Sequence, residues 1–324
     1  MRDATMRALV IAGPGRAEVR EVPRPAPGPD QVLIEVEGCG VCGSNLPIWE
    51  GRPWFTYPAP PGSPGHEGWG RIVACGDGDG RDGLRPGDRV AFLSERAFAA
   101  YDVADRAAVV ALPPALADRA VPGEALGCAI NIARRSGLAA GQVVAVIGAG
   151  FLGALLVQLA ARVGARVIAV SRRPASLEVA RAMGATEVLA LDDADAVVGQ
   201  VEALTGGAGC DRVIEVTGLQ GPLDLAARLC RTRGRLIIAG FHQDGRRTVD
   251  LFLWNWRGLD VINAHEREPA VYVDGMQAAI AAVADGTLDP EPLYTHRVAL
   301  ADAGAAFALL AGRPAGFVKA LVVP

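Results

Sequence analysis

The pattern of apolar and polar positions differs between the first third of the chain and its middle. Over residues 1–120, short runs in which apolar and polar residues alternate are separated by segments rich in Gly and Pro. Such runs are typical of half-buried β-strands. They occur at Arg7–Ile11, Gln31–Glu37, Gly70–Cys75 and Asp88–Leu93. They predict a compact antiparallel β-barrel.

Between about residues 122 and 265, short apolar runs alternate with segments of helical periodicity. The apolar runs are 143–147, 166–170, 187–190, 211–216, 234–240 and 258–263. A repeated alternation of strand and helix predicts a parallel, doubly wound α/β sheet. Residues 270–285 are predicted to form a further helix, and Phe317–Val323 a strand that returns to the first domain.

The length of 324 residues predicts about two domains. The change of pattern assigns them to 1–121 with 266–324, and to 122–265. The net charge is −4 and the basic residues are scattered, which excludes the basic face that nucleic-acid binding needs. No run reaches the ~18 apolar residues of a membrane helix, and the chain does not open on a secretory pattern. We therefore predict a cytoplasmic protein with no nucleic-acid or membrane partner.

A glycine fingerprint, GAGFLG, follows one of the apolar runs and places Gly148, Gly150 and Gly153 at the spacing of a dinucleotide-binding turn. In such a turn the first glycine permits a tight bend and the second lets the backbone approach a pyrophosphate. The third lets the next helix pack close to the sheet, with its N-terminus towards the phosphates. We predict a cofactor site at these glycines and at the intervening Phe151 and Leu152. The alternative is an ordinary glycine-rich turn.

Two short segments, VCGSN and GHE, carry the residue types of a metal site. Cys42, His66 and Glu67 offer a thiolate, an imidazole and a carboxylate. A catalytic zinc takes such ligands from the protein while one position stays open. A hydroxyl group, Ser44, stands two residues after the cysteine. These residues predict a metal-assisted enzyme, either redox or hydrolytic, and the dinucleotide turn favours redox chemistry.

The order of these motifs resembles that of the medium-chain dehydrogenase/reductases, in their zinc-dependent alcohol and polyol dehydrogenase branch. The matching segments are Cys-Gly-Ser, PGHEGWGRIVACG, RPGDRVA and the glycine fingerprint near mid-chain, and the resemblance extends over essentially the whole chain. It implies a GroES-like catalytic domain over 1–121 and 266–324, and a Rossmann dinucleotide-binding domain over 122–265. It also implies an active site between the domains, where a hydride moves between an alcohol carbon and nicotinamide.

The resemblance further implies one catalytic zinc on Cys42, His66, Glu67 and Glu124. In such sites Glu67 acts as an alternating or an outer ligand, and Cys128 is the alternative to Glu124. Zinc in this position lowers the pKa of the alcohol. The expected partner is a small alcohol, polyol or sugar-like substrate, and the chain is expected to form a homodimer or homotetramer.

Three features depart from the family pattern. Pro47 stands where many relatives have a relay histidine, so the proton must reach solvent by another route, beginning at Ser44, which the resemblance implicates as the proton relay. Asn45 stands where an aspartate often orients the zinc histidine, and its amide can still hydrogen-bond the ring. The segment GDRVAFLSERAFAAYDV leads directly from one strand to the next, so the family's four-cysteine lobe with its structural zinc is missing.

The end of the second strand of the nucleotide domain bears on the cofactor. NAD-dependent relatives usually have an acid there, whereas this chain has Ser171, Arg172 and Arg173. Guanidinium groups suit a bidentate grip on a 2′-phosphate, so we predict NADP(H) in preference to NAD(H). The alternative is that one arginine stacks on adenine and NAD remains usable. Thr217 is expected beside the nicotinamide.

Two histidines, His242 and His265, follow later strands at the edge where parallel sheets bind ligands. Each either approaches the cofactor or substrate, or is an ordinary loop histidine. Two other functions are open at this point: a zinc-free NADPH-dependent reductase of activated double bonds or carbonyls, and a non-catalytic NADPH-binding protein. The cysteine and histidine motifs argue against the first, whereas Pro47 and Asn45 leave the second open.

Overall fold

The computed structural model describes residues 5–78, 80 and 83–324. The chain divides into two compact units. The first comprises Met1–Gly127 and Glu268–Pro324, and the second comprises Cys128–Arg267. Both boundaries lie a few residues beyond the limits expected from the sequence, and the first of them falls inside a helix.

The N-terminal part of the first unit consists mainly of strands. They are β1 (Thr5–Gly13), β2 (Arg16–Pro23), β3 (Gln31–Gly40), β4 (Glu67–Cys75), β5 (Arg89–Phe92), β6 (Tyr101–Asp105) and β7 (Val109–Ala111), with a short helix α1 (Leu46–Glu50) between β3 and β4. The four strands predicted from alternation are confirmed as β1, β3, β4 and β5. β1 and β2 pair as an antiparallel hairpin, whereas β3 to β7 belong to a larger sheet.

The second unit alternates strands and helices, as predicted. Its elements are α2 (Gly123–Ser136, which begins in the first unit), β8 (Val143–Ile147), α3 (Phe151–Arg162), β9 (Arg166–Ser171), α4 (Pro174–Ala182), β10 (Glu187–Ala190), α5 (Ala194–Thr205), β11 (Cys210–Glu215), α6 (Gln220–Leu229), β12 (Cys230–Ile238), α7 (Leu251–Arg257) and β13 (Asp260–Asn263). The strands form a parallel sheet in the order β10-β9-β8-β11-β12-β13. The strand order therefore reverses between β8 and β11, which is where such sheets bind dinucleotides.

The last part of the chain returns to the first unit, as predicted. It comprises α8 (Pro269–Ala284), β14 (His296–Ala299), α9 (Ala303–Gly312) and β15 (Ala320–Val323). The sheet order is β14-β15-β3-β4-β5-β7, with β6 also paired to β3. The sheet differs from a purely antiparallel arrangement because β14 and β15 run parallel, which the α9 crossover allows. β1 lies in its own hairpin rather than in this sheet.

Each unit has its own hydrophobic core. In the first unit Phe92, Phe98 and Phe307 are fully buried among aliphatic side chains. In the second unit β8 and β9 are buried along almost their whole length, as expected for parallel strands with both faces covered by helices. Among the described residues, no helix combines the length and apolar character needed to cross a bilayer.

Candidate active site

Three of the predicted metal ligands lie together in the first unit. One donor atom from each of Cys42, His66 and Glu67 lies within 4.8 Å of the other two. The antiparallel pairing of β3 with β4 explains the juxtaposition, because it sets Gly40 opposite Glu67 and so brings the segment after β3 beside the start of β4. A turn at Gly43–Asn45 then follows Cys42 directly. Within the described residues, no other group of three such side chains meets this distance criterion.

Backbone groups fix the orientation of the His66 ring. Its Nδ1 donates to the carbonyl oxygen of Pro64 at 3.0 Å, so Nε2 is the ring nitrogen that remains for a cation. The Asn45 side chain does not make the expected hydrogen bond to the ring in this structure. Its Nδ2 donates to the same Pro64 oxygen at 3.2 Å, and its Oδ1 accepts from the Cys42 amide at 3.0 Å. Asn45 therefore supports the loops that carry both candidate ligands, Cys42 and His66, and does not contact the ring through a hydrogen bond.

Negatively charged groups surround the His66 ring. Burial by itself lowers the pKa of His66, but the hydrogen bond with Cys42 and the charges of Cys42, Glu124 and Glu67 outweigh burial and raise that pKa to about 10. A histidine with such surroundings holds a positive charge strongly. The same surroundings would favour a divalent cation, whose binding displaces the histidine proton.

Lys319, in the last segment before β15, is the residue of this site that sequence reasoning missed. Its Nζ lies 2.6 Å from Oε1 and 2.5 Å from Oε2 of Glu67, and the two side chains are only 4% and 1% exposed. The pair needs space that only a glycine leaves, because a Cβ at Gly40 would lie 1.8 Å from Oε2 of Glu67. The available signal was composition, since Lys319 is the single lysine of the sequence.

The predicted proton relay lies beside the histidine. The Oγ of Ser44 is 3.4 Å from Nε2 of His66, the nitrogen that faces the site. Pro47 is buried in the first turn of α1 and offers no titratable group. The segment between β5 and β6 comprises only residues 93–100, so no four-cysteine lobe is inserted there.

The two candidates for a further ligand stand on α2. Glu124 belongs to the first unit and is not one of the three residues whose donor atoms lie within 4.8 Å. Its charge nevertheless contributes to the raised pKa values of both His66 and Lys319. Cys128 is the first residue of the second unit. The choice between these two residues therefore remains a prediction.

The glycine fingerprint adopts the geometry that its sequence predicts. Gly148 has a φ of +104°, which favours glycine, and a Cβ at Gly153 would lie 1.9 Å from the Gly148 carbonyl oxygen. A Cβ at Gly150 would contact nothing within 4 Å, so space is open at the start of α3. Phe151 and Leu152 form the first turn of that helix.

The residues expected to select the cofactor follow β9. Ser171 ends the strand and is buried, and its Oγ accepts from the Arg173 amide at 3.3 Å. Arg172 is exposed, and Arg173 caps α4. No acidic residue stands between the end of the strand and the helix, as the sequence indicated.

Thr217 lies in the turn after β11, against the fingerprint. A Cβ at Gly148 would be 2.6 Å from the Thr217 methyl group, so the two turns are in contact. A fully buried carboxylate, Glu215, accepts from the Thr217 amide at 2.6 Å and from the Gly218 amide at 2.9 Å. Sequence reasoning missed Glu215, although an acid at the end of an apolar run is an available signal.

The donor set of the first unit fits a zinc ion. Sulfur, imidazole nitrogen and carboxylate oxygen are zinc ligand types, and the raised pKa of His66 reflects a site whose negative charge a cation would balance. The second unit has the open turn and the helix N-terminus that fit a dinucleotide.

Two family descriptions match adjoining parts of the chain. Residues 28–150 match the alcohol dehydrogenase GroES-like domain, and residues 152–279 match the zinc-binding dehydrogenase domain. Sheep (Ovis aries) sorbitol dehydrogenase is 27% identical over 93% of this chain and 92% of its own length.

Solved structures agree with this assignment. A protein described as a zinc-binding dehydrogenase from Sinorhizobium meliloti 1021, bound to NADP, is 28% identical with a TM-score of 0.83, over 99% of this chain and 100% of the other. The 2R,3R-butanediol dehydrogenase of Bacillus subtilis is 25% identical with a TM-score of 0.85, over 98% of this chain and 99% of its own. The chain therefore belongs to the medium-chain dehydrogenase/reductases, in the zinc-dependent alcohol and polyol dehydrogenase branch, and is an oxidoreductase.

Proposed function

We propose that this protein is a zinc-dependent dehydrogenase that transfers a hydride between a secondary alcohol, polyol or sugar-like substrate and NADP(H). The observation that carries the proposal is the donor cluster of Cys42, His66 and Glu67, with one donor atom of each within 4.8 Å of the others. Its residues match the zinc positions that the family resemblance implies. The relatives named sorbitol and butanediol dehydrogenase support a substrate with neighbouring hydroxyl groups.

The chain's own residues would hold and serve one zinc ion. Cys42 and His66 supply its ligands, with Glu67 and Glu124 as the carboxylates and Cys128 as the alternative to Glu124. When bound, zinc supplies Lewis acidity that lowers the pKa of an alcohol. Ser44, whose Oγ lies 3.4 Å from Nε2 of His66, would accept the proton of the substrate hydroxyl while releasing its own hydroxyl proton towards solvent. Lys319 holds the Glu67 carboxylate in one orientation through its two short contacts.

The preference for NADP(H) is the finer part of the proposal. It is supported by the two arginines after β9 and by the lack of an acid there. A neighbour of known structure binds NADP. The glycine fingerprint, with Phe151 and Leu152, would contact the pyrophosphate, Arg172 and Arg173 the 2′-phosphate, and Thr217 the nicotinamide side. We expect subunits of a homodimer or homotetramer to contact one another through the edge strand β13. We also expect the enzyme to be cytoplasmic.

One experiment tests the core of the proposal. Zinc per purified chain is measured by elemental analysis, and the enzyme is screened with alcohols, polyols and sugars in the presence of NADP or NAD. We expect about one zinc per chain and substrate-dependent reduction of NADP. Turnover without bound metal would favour a zinc-free reductase, and cofactor binding without turnover of any substrate would favour a non-catalytic NADPH-binding protein.

Matched variants separate the ligand alternatives and the cofactor choice. The zinc content is measured for Glu124→Ala and for Cys128→Ala. The substitution that lowers the zinc content identifies the ligand. Arg172→Ala combined with Arg173→Ala should raise the KM for NADP by about tenfold or more, because charged hydrogen bonds to the 2′-phosphate are lost, and leave that for NAD nearly unchanged. An equal rise for both cofactors would contradict the NADP assignment.

A further inference from the structure

A chain of polar side chains connects the ends of two strands of the second unit, β11 and β12, and is not used by the chemistry above. Glu215, at the end of β11, uses one carboxylate oxygen for the turn that carries Thr217 and Gly218. Its other oxygen, Oε2, lies 3.1 Å from Nε2 of His242, which follows β12. Arg247 donates from Nε to Nδ1 of His242 at 2.8 Å. We name Glu215, His242 and Arg247 the switch-point network.

The hydrogen bonds define the tautomer of His242. A guanidinium group can only donate, so the Nδ1 that receives the Arg247 bond carries no proton. The ring proton is therefore on Nε2, which donates to the Glu215 carboxylate. Both ring nitrogens are thus engaged, and the side chains of His242 and Arg247 are each only 14% exposed. The ring is held in one tautomer and one orientation.

The network also encloses the turn from its other side. Arg247 donates from Nη2 to the Gly218 carbonyl oxygen at 2.7 Å, while Glu215 accepts from the Gly218 amide. Both peptide groups around Gly218 are therefore fixed by charged partners. The neighbouring turn approaches equally closely, because a Cβ at Gly240 would lie 2.1 Å from the Gly218 amide nitrogen. These contacts leave the backbone at Gly218 little room to move.

This turn is in contact with the glycine fingerprint. The Thr217 methyl group lies only 2.6 Å from the position that a Cβ of Gly148 would occupy. In doubly wound sheets one half, here β8 to β10, binds the adenine mononucleotide and the other, here β11 to β13, binds the nicotinamide mononucleotide. The network belongs entirely to the second half, whereas the arginines expected at the 2′-phosphate belong to the first.

We propose that His242 and Arg247 are positioning residues that hold the Thr217–Gly218 turn in the geometry that receives the nicotinamide half of the dinucleotide. The inference rests on the proposed dinucleotide-binding function and adds residues that do not themselves touch the cofactor. It assigns to the network a selective effect, on the nicotinamide half and not on the adenine half. A network that only stabilised the fold would affect neither half in the folded enzyme.

The test compares two adjacent arginines in the full-length, zinc-loaded protein. Arg246 is exposed and Arg247 is not, so Arg246→Met and Arg247→Met remove the same charge from nearly the same place. Dissociation constants are measured by calorimetry for NADPH and for 2′,5′-ADP, the adenine-half fragment. We expect Arg247→Met to weaken NADPH by about tenfold or more, because a charged hydrogen bond is lost, with the fragment affinity unchanged. Arg246→Met should leave both affinities unchanged.

Two variants of His242 test whether its hydrogen bonds are what maintains the NADPH affinity. His242→Leu removes both hydrogen bonds and should behave like Arg247→Met. His242→Gln supplies one donor and one acceptor, and should retain most of the NADPH affinity. Circular dichroism and thermal unfolding confirm that each variant is folded at the assay temperature.

Three results would overturn the inference: equal losses for the two arginine variants, equal losses for NADPH and 2′,5′-ADP, or no loss in the folded Arg247→Met and His242→Leu proteins. If the unaltered protein binds 2′,5′-ADP and NADPH but the variants show no selective loss, the inference alone fails. If the unaltered protein binds neither, the proposed function fails with it.

Discussion

At the scale of single residues, the buried charges decide how the candidate metal site is built. Glu67 is almost completely buried, and a carboxylate in that position is costly unless a cation accompanies it. The ammonium group of Lys319, from the far end of the chain, is that cation. Gly40 leaves the space in which the Glu67 carboxylate lies. The same pair keeps Glu67 from adding its full charge to the cluster, which leaves Cys42 and His66 as the more available ligands.

The Lys319–Glu67 pair can be tested by a double-mutant cycle in the presence of a chelator. Lys319→Met leaves the carboxylate buried without a cation, and we expect it to lower the free energy of unfolding by about 3 kcal/mol. Glu67→Gln combined with Lys319→Met removes both charges and should cost clearly less than the sum of the single variants. Urea unfolding monitored by circular dichroism measures all four proteins. Additive effects would contradict a direct interaction.

At the scale of the elements, the parallel sheet of the second unit is secured at both of its ends. Glu215 connects the turns at the carboxyl ends of β11 and β12. Asp211 acts at the opposite end, where its Oδ2 accepts from the Val143 amide of β8 at 2.8 Å and its Oδ1 accepts from Arg231 of β12 at 2.7 Å. One carboxylate thus joins three neighbouring strands. Parallel strands have no tight hairpins to fix their register, so such side chains help to set it.

The surroundings of Asp211 predict that the free energy of unfolding depends on pH. Partial burial raises its pKa, but the Val143 amide, Arg231 and Arg212 outweigh burial and lower it below the usual value. A depressed folded-state pKa stabilises the protein above the unfolded-state value of about 3.9 and loses that contribution as the pH falls through the folded-state pKa. We expect Asp211→Asn to cost about 1 kcal/mol at pH 7 and progressively less below pH 4.

Asp195 provides the matched control for this prediction. It pairs with Arg228 on the surface and is far more exposed than Asp211. Asp195→Asn should change the free energy of unfolding by less than about 0.5 kcal/mol at either pH. Urea unfolding at pH 7 and at pH 3.5 supplies the comparison. A cost for Asp211→Asn that does not change with pH would show that the charge plays no part.

At the scale of the whole molecule, the first unit is assembled from both ends of the chain. β15 lies between β14 and β3, so the final residues complete a sheet that begins near the N-terminus. The same segment brings Lys319 to Glu67, one of the candidate metal ligands. The second unit, in contrast, is continuous in sequence. Closing the first unit therefore requires contacts between distant residues, which carry a larger loop-closure cost.

The contribution of the tail can be measured with two substitutions in one strand. Leu321 is fully buried in β15, whereas Val323 at its end is partly exposed. Leu321→Ala should lower the free energy of unfolding by about 2–5 kcal/mol, because it leaves a cavity in the core. Val323→Ala should cost less than about 1.5 kcal/mol. Urea unfolding measures both, and similar small costs would mean that the tail strand contributes little to the first unit.

The sequence by itself determined the parts of this protein that depend on local order. Strand periodicity, the glycine fingerprint and the segments around Cys42 and His66 are properties of short windows. They predicted the parallel sheet, the turn at Gly148 and the cluster of candidate metal ligands. The missing four-cysteine lobe was also evident, because the short segment between two neighbouring strands leaves no residues for it. Asn45 was identified as a departure, but its partner was not, since Pro64 lies in another loop.

The tertiary structure alone decided which distant side chains meet. The pairing of Lys319 with Glu67 requires β15 to lie beside β3, and no pattern within a window can specify that neighbour. The network from Glu215 through His242 to Arg247 likewise joins the ends of two strands separated by a helix. Buried charges need compensating partners, so the sequence could indicate that a partner exists. Which residue it is depends on the order of strands in the folded sheet.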